Sequence, residues 1–334
     1  MNKIKTLLVR AGSGSFKRFF RNLQLAHQRS GKNRIWLFFD MTYSMFAHGI
    51  GYLDYLTFNF ASIGKEKRRT FMTYDDNIAL VRRMNQREAY PLLNDKLLFF
   101  QTYGPFMHRD WVDLQTGYEG FAAFCQGKDT FFAKQPVSFG GTGVEKIRLE
   151  GQDLHQLYEQ LMDKKMFLAE QTICQHPKMD KLCSRSVNTV RIVTILSDRG
   201  NANVVYALVR IGSGQNDVDN ISSGGMYTLL SPEGTITMPV FCDKTVSYYT
   251  SHPMTGFAFE GFTVPYFQEA LELCRQAAQV EPRLRYIGWD VAITPDGPVL
   301  VEGNNLPGYD MCQNYRFHAD GCGMKQAFVD AEAN

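Results

Sequence analysis

Nothing in the chain approaches the roughly 20 consecutive apolar residues that cross a bilayer as a helix. Its longest apolar runs, Ile35–Phe39 and Val204–Val209, are strand-sized. The first ten residues lack the apolar core of a secretion signal. The seven cysteines are odd in number and contain no CxxC pair, which argues against a disulfide framework or a zinc site. Cys125, Cys174, Cys183, Cys242, Cys274 and Cys312 sit among apolar neighbours and read as buried thiols in a reducing, cytoplasmic compartment. There is no internal repeat and no low-complexity linker. Proline is scarce at 12, whereas the 28 glycines cluster, as in loops that approach a ligand. With 21% charged and 44% hydrophobic residues, disordered, collagenous and coiled-coil classes drop out. The length suits roughly two or three domains.

Acid is absent from residues 1–34, which hold nine lysines and arginines; a net charge of +2 therefore leaves the other 300 residues at −7. Such asymmetry predicts one anionic partner for this segment and does not predict nucleic-acid binding by the whole protein. The segment reads either as a solvated helix face or as a contact for an anionic membrane surface or lipid-linked glycan.

Residues 1–34 are expected to be helical and loosely amphipathic, and 52–63 are rich in aromatics. A helix is expected at 74–94, with Asp75 and Asp76 in its first turn. From 96 onward the pattern is α+β. Strands are predicted at 97–101, 121–125, 130–137 and 166–170, with an amphipathic helix at 152–164. Long strands at 189–197 and 203–211 follow, then strands at 226–230 and 235–240 and a helix at 265–280. A hairpin at 286–303 turns at Pro-Asp-Gly.

That hairpin, YIGWDVAITPDGPVLVEGNN, carries the strongest chemical signal. With a three-residue loop Pro295–Gly297, Asp290 lies opposite Glu302, and Asn304 follows on the same face. Two facing carboxylates call for a cation, and few hard oxygen ligands suit Mg2+. In FFAKQPVSFGGTGVEKI, Lys134 precedes Gly140, Gly141, Thr142 and Gly143, whose backbone N–H groups can point at a phosphate. Glu170 ends a buried strand that can serve as an adenine-binding hinge beside such a loop. Arg191 and Arg210, on adjacent strands, need an anion between them; Asn220 and a Gly224–Gly225 pair follow. His252 and Glu260 can deprotonate an acceptor or simply shape its pocket.

The order of these motifs resembles the ATP-grasp superfamily, and within it the sugar-transfer-associated branch related to the α-L-glutamate ligases. The resemblance runs from about residue 40 to 318 through DYLTFNF, NDKLLF, FAKQPVSFGGTG, FLAEQTICQHP, SVNTVRIVT, VDNISSGGM, HPMTG and the hairpin. It implies two α+β subdomains gripping ATP between them, preceded by a mostly helical region. The boundaries expected are 1–95 for the basic helical region, 96–170 for the small lid subdomain and 171–334 for the large subdomain. It implies that Lys96 and Lys134 hold phosphates and that Gly140–Gly143 close over them. Glu170 and the backbone of Gln171 to Ile173 take the adenine, and Gln175 or His176 the ribose. Arg191, Arg210 and Asn220 surround the transferred phosphoryl group, while Asp290, Glu302 and Asn304 hold one or two Mg2+ ions. The activity implied is ligation of a small-molecule or glycan carboxylate to an amine through an acyl phosphate, in polysaccharide or glycoconjugate synthesis. The alternatives are a phosphotransferase and a non-catalytic nucleotide-binding module. The location implied is the cytoplasm, with residues 1–34 reaching the inner membrane face.

Overall fold

The computed structural model describes residues 15–138, 143–214 and 224–334. Two compact units emerge, one from residues up to Leu80 with Gly308–Val329, the other from Val81–Pro307 with Asp330–Asn334.

The first unit is helical. It contains α1 (Ser15–Ser30), α2 (Arg34–His48), α3 (Tyr52–Thr57), the single turn Lys65–Arg68 and the start of α4 (Tyr74–Met84). Asn33 caps α2 by accepting from the Ile35 N–H at 2.8 Å. Gly49 ends it in the left-handed conformation at φ 66°, and any Cβ there would press on Asp75. Asp40 on α2 takes two hydrogen bonds from Arg68 (2.9 and 2.7 Å) and one from the Tyr55 hydroxyl, tying three helical segments together. Phe58 stacks on Phe71, and Phe60 packs against both rings at steeper angles; all three are buried.

The second unit holds two antiparallel sheets. The smaller has the order β1-β4-β2-β3, from β1 (Trp111–Asp113), β2 (Thr130–Lys134), β3 (Val144–Arg148) and β4 (Leu168–Gln171). Helices α7 (Tyr118–Cys125) and α8 (Leu154–Asp163) share its core, where Phe121, Phe131, Leu157, Leu161 and Ala169 are buried. The larger sheet has the order β11-β10-β5-β6-β7-β8-β9. Its strands are β5 (Thr189–Leu196), β6 (Ala202–Ile211), β7 (Met226–Leu229), β8 (Val240–Cys242), β9 (Ser247–Tyr249), β10 (Tyr286–Thr294) and β11 (Gly297–Asn304). Helix α9 (Phe267–Ala278) packs on β5, β6 and β11.

Two segments expected as strands are helices. Residues 97–101 belong to α6 (Lys96–Tyr103), which follows the short α5 (Pro91–Asn94). Asp95 decides the matter: its side chain accepts from the Leu97 and Leu98 N–H groups. Apolar residues all round α6 are buried, so no helical periodicity marks it. Residues 121–125 form the end of α7, where the Ala122–Ala123 pair favours helix over a pleated surface. The expected helix 74–94 breaks after Met84 and resumes at Pro91, a residue that starts helices but interrupts them internally. Cys174, expected to be buried, is exposed in the segment beyond β4.

Candidate nucleotide and metal site

The β10–β11 hairpin pairs Asp290 with Glu302 and Gly288 with Asn304. The route to this register differs from expectation. Thr294 pairs with Gly297, so the loop has two residues, Pro295 and Asp296. A bulge at Val301 then restores the Asp290–Glu302 pairing, because Val291 pairs with Leu300. Gly303, between the two functional positions, is required by close approach. A Cβ there would lie 2.8 Å from Leu93 and 3.1 Å from Trp289. Its absence lets α5 and α6, and hence Lys96, come down onto β11.

Arg191 pairs with Asp290 across β5 and β10. Arg210 follows Val209, the partner of Val190, and so shares the face of Arg191 on the diagonal. Both guanidinium groups reach the Asp290 carboxylate. Arg191 does so with two bonds, one of 2.8 Å from Nη2 to Oδ2, and Arg210 adds another to Oδ2. The anion these arginines needed is therefore Asp290 itself. Burial pushes Asp290 up, but the two guanidinium groups more than reverse this and hold it well below the ordinary carboxylate range. Glu302 behaves oppositely. It keeps an exposed edge, yet the protein around it and then the Asp290 charge raise it to about 7. The two facing carboxylates are therefore driven apart, Asp290 toward its charged form and Glu302 away from it.

A second charged cluster lies on β4 and β2. Glu170 is buried and bonded by Lys134 and by Arg109, the latter with Nε and Nη2 at 3.2 and 2.9 Å. Burial opposes its ionisation, but Lys134 and Arg109 outweigh that and lower it. Arg109 also donates to the Leu300 carbonyl at 2.5 Å, linking the small sheet to β11. Arg109 was not anticipated; nothing in its local sequence distinguishes it from a surface arginine. Lys96, at the start of α6, donates to the Ser138 hydroxyl and carbonyl at 2.8 and 3.0 Å. Its ammonium is lowered by burial and by Lys134, against the pull of Glu302, Asp95 and Glu170. Lys96, Lys134, Glu170 and Glu302 thus share one electrostatic neighbourhood.

Gly143 closes the base of the loop between β2 and β3. Its carbonyl accepts from the Gln135 N–H at 2.9 Å, and its φ of 65° suits glycine. Gly140, Gly141, Thr142 and Asn220 lie outside the described residues. Gln171 ends β4, its N–H bonded to the Asp110 carbonyl, and Ile173 is half-buried beyond it. Gln175 is occupied internally: it donates to Asp180, Cys183 and Ser186 and accepts from Asn188. His176 is half-buried, with its N–H on the Ile293 carbonyl and Nδ1 accepting from Lys178. His252 is buried; Nε2 faces the Gly212 carbonyl, and Nδ1 accepts from the Met254 and Thr255 N–H groups. Both ring nitrogens are thus engaged within the protein, which makes His252 a clamp for the 252–255 turn, whereas Glu260 is exposed.

Among the described residues, no three His, Cys, Asp or Glu side chains gather to hold a metal. The set at hand is two carboxylates and the Asn304 amide, all hard donors, and it fits Mg2+ in chemistry. Arg191 and Arg210 take three of the roughly four acceptor directions of Asp290, leaving one toward Glu302.

No curated protein matches the chain. Among solved structures, the chain is similar to the D-alanine–D-alanine ligase from Bacillus anthracis, with 11% identity over 81% of this chain and 77% of that one and a TM-score of 0.43. Similar too are the ATP-grasp ligase PsnB with its minimal precursor (14% identity, 68% and 57% of the two chains, TM-score 0.40) and the ADP complex of N5-carboxyaminoimidazole ribonucleotide synthetase (11%, 65% and 45%, TM-score 0.40). The chain therefore spans about half the length of these last two. The family model described as sugar-transfer associated ATP-grasp matches residues 112–317. With well over half its length so matched, the chain belongs to the sugar-transfer associated ATP-grasp family.

Proposed function

We propose that the protein is an ATP-dependent ligase that joins a carboxylate to an amine. A carboxylate oxygen attacks the γ-phosphorus of ATP, the bond to the β–γ bridging oxygen breaks, and ADP leaves. The amine then attacks the acyl carbon, phosphate departs with its bonding pair, and the ammonium loses a proton. Such chemistry asks for positioning and charge neutralisation more than for covalent help. Lys96 and Lys134 bind the nucleotide phosphates, with Gly140 to Gly143 closing over them. Glu170, Gln171 and Ile173 frame the adenine and His176 the ribose. Asp290, Glu302 and Asn304 hold Mg2+, which supplies neutralisation of phosphate charge. Arg191 and Arg210 fix Asp290 and face the transferred group, with Asn220 beside it. Residues 96–170 act as the lid and 171–334 as the larger subdomain. The family description by itself favours a sugar acid, or an amino acid joined to a sugar, in polysaccharide or glycoconjugate assembly in the cytoplasm.

The observation that supports this reading best is the pairing of Asp290 with Glu302 across one hairpin, whose strand β11 Arg109 ties to the Lys134–Glu170 pair through the Leu300 carbonyl. The test is a screen of acid–amine pairs for ADP and phosphate release. Release that needs ATP, an acid and an amine together is the expected result. Product that retains the phosphoryl group identifies a phosphotransferase, and nucleotide binding without turnover across the screen identifies a binding module.

A further inference from the structure

The helical unit carries an apolar face that its own core does not use. Helix α2 buries Leu37, Met41 and Ser44 on one side. On the other it exposes Ile35 (69%), Trp36 (43%), Phe38 (40%), Phe39 (65%), Tyr43 (61%) and Phe46 (57%). Ile35, Phe39, Tyr43 and Phe46 recur at helical spacing, so they share a face. Ring contacts extend from it to α1 through buried Phe19. Exposed Phe20 touches Phe19, Phe19 touches Phe38, and Phe38 touches Phe39, with ring centroids 5.4, 5.5 and 5.5 Å apart. Contiguous aromatic surface of this kind marks an interaction site.

Charge identifies the occupant. Lys17, Arg18, Arg21, Arg29, Lys32 and Arg34 are all exposed on the same two helices and the turn between them. Lys32 Nζ stands 4.7 Å over the Trp36 ring. The only acid in residues 15–48, Asp40, is turned inward to Arg68. A second copy would bring the same cations against these, whereas anionic headgroups above an acyl layer satisfy cations and aromatic rings together. Aromatic side chains favour the membrane–water boundary, and a helix pairing them with lysine and arginine lies along it. Among the described residues no helix is long and apolar enough to cross a membrane.

We propose that α1 and α2 form a docking surface for an anionic lipid bilayer. Helix α2 lies along the surface with Ile35, Phe39, Tyr43 and Phe46 in the headgroup–acyl boundary, and the flanking lysines and arginines contact lipid phosphates. The sequence displays the basic charge and the apolar run Ile35–Phe39; the exposed aromatic face beside the cations is what makes the partner a bilayer and not a soluble anion.

The full-length protein is sedimented with vesicles of phosphatidylcholine alone and with added phosphatidylglycerol. It is expected to pellet with the anionic vesicles, to release at high salt and to leave neutral vesicles largely unbound. The fluorescence change on binding is expected to vanish in Trp36→Phe. The double variant Phe39→Glu with Phe46→Glu is expected to lower partitioning at least about tenfold, with its melting temperature and ADP formation in solution unchanged. Equal pelleting of the double variant and the parent overturns the proposal. So does a dimer in sedimentation velocity that the double variant splits, without vesicle binding by the parent, since the face would then cover a second copy. Because ADP formation is followed in parallel, failure here is distinguishable from failure of the ligase reading.

Discussion

Asp290 and Glu302 face each other across one hairpin, yet their surroundings assign them opposite duties. Asp290 is buried and answers two buried guanidinium groups. Asp290→Asn leaves those charges without a counter-ion, and about 3–5 kcal/mol of stability should be lost in urea unfolding, the usual cost of breaking a buried pair. Glu302→Gln removes one of two opposed carboxylates. Its stability should hold or rise while ADP formation falls about a hundredfold, since sites give up stability for function. Equal destabilisation by both changes would contradict this division. Arg109 is tested at the same scale. Arg109→Ala strips a two-pronged bond from buried Glu170 and a contact from Leu300, so a loss of about 3 kcal/mol is expected together with weaker nucleotide binding. Arg109→Lys should not restore either, because a single ammonium nitrogen cannot span Glu170 and the Leu300 and Met107 carbonyls as the separate guanidinium nitrogens do.

At the scale of elements, Gly303 sets how closely α5 and α6 approach β11. Gly303→Ala should push Leu93 and Phe99 outward, cost about 1–3 kcal/mol and displace Lys96. A calorimetric rise in the dissociation constant for ATP, with residual sheet structure intact by circular dichroism, checks it. Helix α4 has a reciprocal cap at its start. The Thr73 N–H donates to Asp76, the Asp76 N–H donates to the Thr73 hydroxyl, and Lys325 pairs with the same carboxylate. Burial raises Asp76, but the Thr73 and Lys325 bonds outweigh it and lower it from the ordinary 3.8. A depressed carboxyl adds stability that is fully present above its unfolded value and is lost as pH falls through its folded value. Asp76→Asn should therefore cost about 1 kcal/mol at neutral pH and almost nothing in strong acid. Melting temperatures that differ equally at both pH values would refute the cap. The hairpin shows how a correct pairing can arise from a different path: a shorter loop and a bulge at Val301 cancel, leaving Glu302 opposite Asp290. Sequence alone cannot separate these routes, because a loop residue and a bulge residue shift register by the same one step.

For the whole molecule, the ligand itself is the probe. ATP with Mg2+ at a hundred times its dissociation constant should add about 2.7 kcal/mol to the stability of the unit holding the site. Chelating the metal should remove most of that rise in a thermal-shift assay, and Glu302→Gln should show little metal dependence at all. Retention of the full shift in chelator would count against the hairpin as a metal site. Sequence by itself determined the parts that depend on short-range order. The apolar runs of Val190–Ile195 and Val204–Val209 mark strands, and the offset of Asp290 from Glu302 about a proline–aspartate–glycine turn places two carboxylates opposite each other. Order of motifs likewise carried the family, since several motifs in one succession are far more specific than any one. Tertiary structure alone decided three things. It made Asp290 the anion of Arg191 and Arg210, because β10 lies beside β5, whose pairing spans 99 positions from Arg191 to Asp290. It brought Arg109 to Glu170 and Leu300, a meeting no local pattern encodes. It also decided which side of α2 the core would take: with apolar residues all round, only the packing of Leu37 and Met41 inward left Ile35, Phe39 and Phe46 facing water.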